Sequence, residues 1–324
     1  MLFYLRGDNK LRFSFVVLHY LTNQDTEECI DSILKNVVYD DYFIIVVDNG
    51  SPNDSVKILS EIYKENNKVK FITNKQNLGF AKGNNIGYNF AKNKLNSDFI
   101  ILLNNDTIIK QPTFISTIIK KYEEYNFDVL GPDIVSTQDG LHQNPRLKST
   151  ISEMEINTIV KQLKRKYYLN LLGIEAIVVY IYRLIKSFYS TKTESRIYNK
   201  NNESYKQQLE NTSLHGACFI FSPKYVKRYN GLYSNTFMYM EEDILFYIAK
   251  KENLNLLYSP DIQIFHKEDS STDATFKKDS KKRRFFYKHK IESAQEFLNI
   301  LQDNSIYIED IKSENLTKKI KGNK

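Results

Sequence analysis

The chain is 324 residues long, with 46 Lys and Arg against 39 Asp and Glu, a net charge of +7 and no Trp. That length suits one large α/β domain or two smaller ones. The charge suits a protein that meets phosphates or an anionic surface, and it is too mild to imply nucleic acid.

Two cysteines, Cys29 and Cys218, lie far apart without metal-ligand spacing and read as reduced thiols in a cytosolic core. The N-terminal MLFYLRGDNK has no long apolar core and no small-residue cleavage site, so no signal peptide is expected. In chain order, FSFVVL from Phe13 to Leu18 predicts a buried strand, followed by a two-faced helix from Thr26 to Lys35. YFIIVV from Tyr42 to Val47 is a second strand that runs into Asp48-Asn49-Gly50-Ser51. A helix is expected from Ser55 to Asn66, a short strand from Val69 to Thr73, and a helix from Asn84 to Lys94 after a glycine-containing loop. FIILLNNDT, Phe99 to Thr107, then reads as a strand buried on both faces that ends in two asparagines and an aspartate. Strands alternating with helices of about a dozen residues predict a doubly wound, mostly parallel α/β sheet, with a nucleotide-binding half in the first ~110 residues.

The second part is less regular. A helix is predicted from Thr113 to Tyr125 and a strand at Val129-Leu130-Gly131-Pro132, ending in a turn. LHGACFIFS from Leu214 to Ser222 is a strand, Asp243 to Lys251 a helix, and Leu256 to His266 a strand pair or extended segment. Between them, Tyr167 to Tyr189 is apolar on nearly every side, with Glu175, Arg183 and Lys186 as its only charges. A membrane span needs ~20 apolar residues, and Glu175 and Arg183 argue against one. A helix lying in a membrane surface fits the preceding Lys161, Lys164, Arg165 and Lys166. A helix packed on the protein, or in a homodimer, fits equally.

Four constellations and one lone histidine can do chemistry. Asp48-Asn49-Gly50-Ser51 can bond a base or ribose, or be a polar turn. The run from Asn77 to Gly87, NLGFAKGNNIG, has glycines at every fourth residue before a helix and resembles a phosphate-cradling loop, although it is neither GxGxxG nor a Walker sequence. Asp106 stands where a carboxylate could hold a metal ion, or where Asn-Asn-Asp simply turns the chain after the strand. Glu241-Glu242-Asp243 follows the aromatic run FMYM: mutual repulsion should raise at least one pKa and poise a general base, and the same acids suit the first turn of a helix. His266 closes an apolar strand and is a candidate metal ligand.

Taken in order, FSFVVLHY, VVDNGS, NLGFAKGNNIGYNFA, ILLNNDT, HGACFIFS and FMYMEEDILFYIAK resemble family 2 glycosyltransferases, closest to the rhamnosyltransferase-like bacterial branch. The resemblance covers about residues 13 to 135 and 212 to 270. It implies a GT-A fold, a nucleotide-sugar donor such as dTDP-rhamnose or a UDP-hexose, and inversion at the anomeric carbon. It would place His19 and Tyr20 at the nucleoside pocket, and Asp48, with Asn49 and Gly50, at the base or ribose. The loop from Asn77 through Gly79, Phe80 and Lys82 to Asn85 would wall the donor site. Asp106 would match the last acid of the family's metal motif, for Mg²⁺ or Mn²⁺. Asn104 and Asn105 replace its other acids and join the donor-binding residues, and His266 would be a second metal ligand. Glu242 would be the base by first choice, then Glu241, with Asp243 completing the triplet.

A basic segment, Lys277, Lys278, Lys281, Lys282, Arg283, Arg284, Lys288 and Lys290, is interleaved with Phe285, Phe286 and Tyr287. It suits an anionic membrane surface or a lipid-diphosphate acceptor, and no nucleic-acid motif accompanies it. The expected organisation is a nucleotide-sugar-binding half over 1–135, a helical insertion over 136–212, an acceptor half over 213–270 and a basic helical extension over 271–324. The expected setting is cytoplasmic, peripheral at the inner face of the cell membrane, with a polyprenyl-linked glycan acceptor in surface polysaccharide synthesis. A non-catalytic nucleotide-sugar-binding or scaffold protein of the same fold is the alternative.

Overall fold

The computed structural model describes residues 10–146, 152–175, 177, 203–268 and 279–312. Four apolar runs form parallel strands β1 (Phe13–His19), β2 (Tyr42–Asp48), β3 (Val69–Thr73) and β4 (Phe99–Asn104), in the spatial order β3-β2-β1-β4. Side chains alternate across them. Phe13, Phe15, Val17, Phe99, Ile101 and Leu103 enter one core layer, and Val16, Ile100 and Leu102 the other. Burial on both faces is why these strands are continuous apolar runs rather than alternating ones. The connecting helices are α1 (Asn23–Asn36), α2 (Ser55–Ile62), α3 (Phe80–Asn93) and α4 (Phe114–Tyr125). α1 and α4 feed the first layer through Ile30, Ile33, Phe114 and Ile118, and α3 feeds the second through Tyr88 and Ala91.

The remaining elements are β5 (Thr107–Ile108), β6 (Val129–Ser136), α5 (Glu153–Leu171), β7 (Leu209–Glu210), β8 (Cys218–Phe221), α6 (Pro223–Arg228), α7 (Glu241–Glu252), β9 (Leu256–His266), α8 (Asp279–Gln302) and α9 (Ser305–Ile311). They extend the sheet to the order β3-β2-β1-β4-β8-β6-β9-β5, with β7 on β9. β8 runs antiparallel to both β4 and β6, whereas β6 and β9 are parallel. The architecture is therefore a mixed α/β sheet of GT-A type with flanking helices.

Several boundaries differ from the expected ones. α3 starts at Phe80 rather than Asn84 and swallows two of the loop glycines, because they face the sheet. A Cβ on Gly87 would lie 2.4 Å from Val16 Cγ1, and one on Gly83 2.7 Å from Leu18 Cδ1. α2 stops at Ile62, short of Asn66. β6 passes through Gly131-Pro132 instead of turning, and a register shift between Pro132 and Asp133 absorbs the proline, which has no N–H to offer. Of the two readings of Leu256 to His266, the extended segment holds: β9 is one continuous strand rather than a pair. Of LHGACFIFS only Cys218–Phe221 is strand.

Of the apolar stretch, the residues up to 175 and residue 177 are described, and the rest of Tyr167 to Tyr189 lies outside the described residues. α5 opens with a capping box between Ser152 and Glu155 and buries Ile156, Val160 and Leu163. Its C-terminal end is tied to α8: Arg284 Nε donates to Asn170 Oδ1 (3.0 Å), Tyr287 donates to Glu175 Oε1 (2.7 Å), and Arg283 lies 3.1 Å from Glu175. Burial alone would raise the Glu175 pKa, but the bonds from Asn170 and Tyr287 and the Arg283 charge hold it below the usual range. Part of the basic segment thus serves the protein rather than a free surface; Lys277 and Lys278 lie outside the described residues. Among the described residues no helix is long and apolar enough to cross a membrane. Cys29 and Cys218 are free and buried, and burial pushes the Cys29 thiol up to about 12, an inert state.

Candidate active site

The order β3-β2-β1-β4 reverses direction at β1 and β4, which opens a crevice beyond their carboxyl ends. His19, Asp48 and Asn104 to Asp106 all stand there. His19 is buried with both ring nitrogens engaged, by Thr26 Oγ1 at 2.7 Å and Ser55 Oγ at 2.8 Å. Burial outweighs the pull of Asp48 and lowers its pKa to about 4, so the ring is neutral. Tyr20 follows it, half-buried. Asp48 is buried and accepts from Ser51 N at 3.1 Å, closing the Asp-Asn-Gly-Ser turn. Gly50 sits there at φ +73°, and a Cβ would meet Gln76 C at 2.4 Å.

Asn49 is the hub of this side. Its Nδ2 donates to Asn77 Oδ1 and Gly79 O, both at 3.0 Å, and its Oδ1 accepts from Leu78 N at 3.0 Å. These bonds fix the 77–79 loop over the end of β2. Gly79, at φ +83°, lets the loop touch a distant segment: Phe80 N donates to Phe237 O at 2.7 Å, where a Cβ on Gly79 would lie 2.2 Å from that oxygen. The other two loop residues point elsewhere. Asn85 exchanges two hydrogen bonds with the Leu232 backbone, at 2.6 and 2.8 Å, and Lys82 is exposed beside a cleft shared with Asn230, Ser234 and Asp310.

Asn105 turns its amide to Thr22 Oγ1 (2.9 Å) and Thr26 Oγ1 (3.0 Å), the same threonine that holds His19. Asn104 offers its carbonyl to Thr107 Oγ1 at 2.6 Å. Asp106 is 6% exposed and its Oδ1 lies 3.2 Å from His266 Nε2. The contact is made by strand pairing: Thr107 of β5 is in register with His266 of β9, and Lys267 N donates to Asp106 O at 2.9 Å. Gln143 spends its Nε2 on Glu268 Oε1, so its Oε1 accepts from His266 Nδ1 at 2.8 Å. His266 Nε2 is thereby left facing the Asp106 carboxylate oxygen, a contact that a proton or a cation between the two atoms satisfies. Among the described residues no cluster of three or more His, Cys, Asp or Glu could hold a metal. An Asp–His pair would supply two ligands to a cation that took the rest from substrate phosphates and water.

His215 was not anticipated, although it lies in the LHGA motif. Its ring is 5.9 Å from that of His266, edge to face, and its Nδ1 accepts from Ala217 N at 3.1 Å. Burial lowers its pKa to about 4 against the opposing pull of Glu242, so it is neutral with its proton on Nε2. Glu242 accepts from Gly216 N at 3.2 Å and lies 3.4 Å from Arg146 Nη1, while Arg146 Nη2 lies 3.4 Å from Asp243. Burial works against the Glu242 charge, but the Arg146 guanidinium and the N–H groups of Glu242 and Gly216 hold its pKa below the usual value. Glu241 has the opposite fate. It is buried, accepts from Thr236 Oγ1 at 3.0 Å, and burial with the Glu242 charge pushes it up to about 8. The triplet separates into a protonated internal acid, an ionised carboxylate at the crevice and an aspartate against Arg146.

The turn that aims Glu242 is backbone-strained. Tyr239 and Met240, neither of them glycine, have φ of +75° and +72° just before α7. Neighbours hold it there. Besides Phe80 N on Phe237 O, Ser293 of α8 donates to Met238 O at 2.9 Å, His289 stacks on Phe237 at 4.4 Å and Phe286 meets Tyr239 edge-on at 4.9 Å.

A family model described as Glycosyl transferase family 2 matches residues 14–229. Glycosyltransferase GlyG of Streptococcus pneumoniae serotype 4 is 31% identical over 117 residues, which is 36% of this chain and 37% of that protein. The low-salt glycan biosynthesis hexosyltransferase Agl10 of Haloferax volcanii is 20% identical over 244 residues, 75% of this chain and 63% of that one. The chain thus spans less than two thirds of the length of these curated relatives. Among solved structures, S. aureus TarS 1–349 in complex with UDP aligns at a TM-score of 0.48 and 15% identity, covering 82% of this chain and 62% of that chain.

Proposed function

We propose that this chain, which belongs to glycosyl transferase family 2, moves a sugar from dTDP-rhamnose or a UDP-hexose to a polyprenyl-diphosphate-linked glycan, inverting the anomeric carbon, in bacterial surface polysaccharide synthesis. The observation that carries the reading is the line of groups running from Asp106 through His266 and His215 to Glu242 and Arg146. In the reaction the acceptor hydroxyl gives its proton to the Glu242 carboxylate as its oxygen bonds to C1 of the sugar. The bond from C1 to the diphosphate oxygen breaks on the opposite face. Mg²⁺ or Mn²⁺ held by Asp106 and His266 would neutralise charge on the leaving nucleoside diphosphate. Asp48 and the 77–79 loop tied by Asn49 would receive the nucleoside, and Arg146 keeps Glu242 charged and aimed. A lipid-linked acceptor would hold the protein at the cytoplasmic face of the membrane.

The test is a thermal-shift and transfer assay over nucleotide sugars, with and without Mn²⁺ or Mg²⁺. One donor should raise Tm in a metal-dependent way and be turned over. Glu242→Gln should keep that shift and lose about 10²-fold or more in kcat. Asp106→Asn should lose both the metal-dependent part of the shift and turnover. A chain that no nucleotide sugar stabilises under any of these conditions overturns the reading, and a fully active Glu242→Gln overturns the choice of base.

A further inference from the structure

We infer that the paired ends of α5 and α8 form a docking tip for an anionic phospholipid bilayer. The C-terminal end of α5 exposes Tyr168 (59%), Leu171 (50%) and Leu172 (71%), and Ile174 and Ile177 follow at 41% and 60%. Five large apolar side chains within ten residues form a patch rather than scattered exposure, and such patches mark interaction sites. The inner face of the same helix is already satisfied by core contacts through Ile156, Val160 and Leu163.

Charge says what the patch meets. Lys161, Lys164, Arg165 and Lys166 are exposed on the turns just before it. α8 brings exposed Lys281 and Lys288 to the same end, since its Arg283, Arg284 and Tyr287 grip Glu175 and Asn170. Against these cations that end of α8 carries Asp279, while the acids of α5 itself, Glu153 and Glu155, lie in its first turn, at the far end. Glu175 is neutralised inside the helix pair. From Arg165 to Leu172 is seven residues, ~10 Å of helix, close to the ~5–10 Å to which interfacial helices sink their apolar face. Apolar groups at the tip, a tyrosine beside them and a cationic collar behind match acyl chains, interface and headgroup phosphates in turn.

The same helix carries the consequence to the cleft. Phe285 and Phe286, one turn from Lys281 and Lys282, contact Phe237 and Tyr239 in the strained turn before Glu242. Docking would hold that turn near the headgroups, where the diphosphate of a lipid-linked glycan lies. This last step rests on the transferase reading; binding to the bilayer does not.

The test is co-sedimentation of the full chain with vesicles of phosphatidylcholine, alone or mixed with phosphatidylglycerol. Binding should need the anionic lipid and weaken with salt. Leu171→Ser with Leu172→Ser should weaken it at least about tenfold, and Lys164→Glu with Arg165→Glu by about fivefold or more per charge. Circular dichroism and Tm should be unchanged in both. Transfer to a short soluble acceptor should also be unchanged, which separates failure here from failure of the proposed reaction. Indifference of the wild-type chain to anionic vesicles, or unaltered binding by both variants, overturns the inference. So does conversion of a dimer to a monomer by the leucine variants with vesicle binding intact, because the patch would then meet a second copy.

Discussion

Glu241 and Glu242 are neighbours of the same type, yet one is buried behind Thr236 and protonated while the other faces Arg146 and is charged. Their repulsion was legible in the sequence; which carboxylate yields was not, because that depends on Arg146 and Gly216 arriving from other segments. Two outcomes follow. Arg146→Gln removes the cation that favours ionised Glu242, so the acid limb of the kcat/KM pH profile should move to higher pH, by about one unit. Arg146→Lys should restore part of it, and an unmoved limb would show that Glu242 is not the titrating base. Glu241 ionises near 4.5 when unfolded and near 8 when folded. Its contribution is full below the lower value, declines as pH rises and is lost by about pH 8. Glu241→Gln mimics the protonated acid, so its Tm relative to the parent should grow between about pH 5 and pH 8. A constant difference would contradict the placement.

At the scale of elements, α3 shows how one motif can hold two roles. The glycines at every fourth residue suggested a phosphate cradle. In the structure Gly79 makes the close approach to Phe237, whereas Gly83 and Gly87 let the helix lie against β1 and β2. Gly87→Ala should cost about 1–3 kcal/mol in urea unfolding, since the new methyl meets strand side chains on a closely packed face. Lys82→Ala, exposed on the same helix, should change stability by less than about 0.5 kcal/mol. Equal effects at the two positions would rule out close packing as the reason for the glycine. The basic, aromatic helix α8 was legible as a helix and as a charged one. That its Phe286, His289 and Ser293 brace the turn before Glu242 was not, because a helix pattern shows which residues share a face but not what that face meets.

Across the whole molecule, Phe297 and Ile300 of α8 and Tyr307 and Ile311 of α9 share one apolar cluster with Val16 of β1, Ile45 of β2 and Leu245 of α7. Phe297→Ala should therefore destabilise the sheet and the C-terminal helices together, by about 3–5 kcal/mol, with coincident unfolding by far-ultraviolet circular dichroism and tyrosine fluorescence. Separate transitions would mean that the C-terminal helices fold independently of the sheet. The chain by itself determined the alternating strands and helices of its first third, and the carboxyl-end positions of Asp48 and Asp106. Those are local properties, set by apolar runs that must be buried on both faces and by the polar residues that end them. The family resemblance had already paired Asp106 with His266; only the tertiary structure decided the β5–β9 register that joins them, that His215 stands between them and Glu242, and that Arg146 lies against Glu242. Each of these joins segments far apart in sequence through strand register and loop closure, which no local pattern encodes.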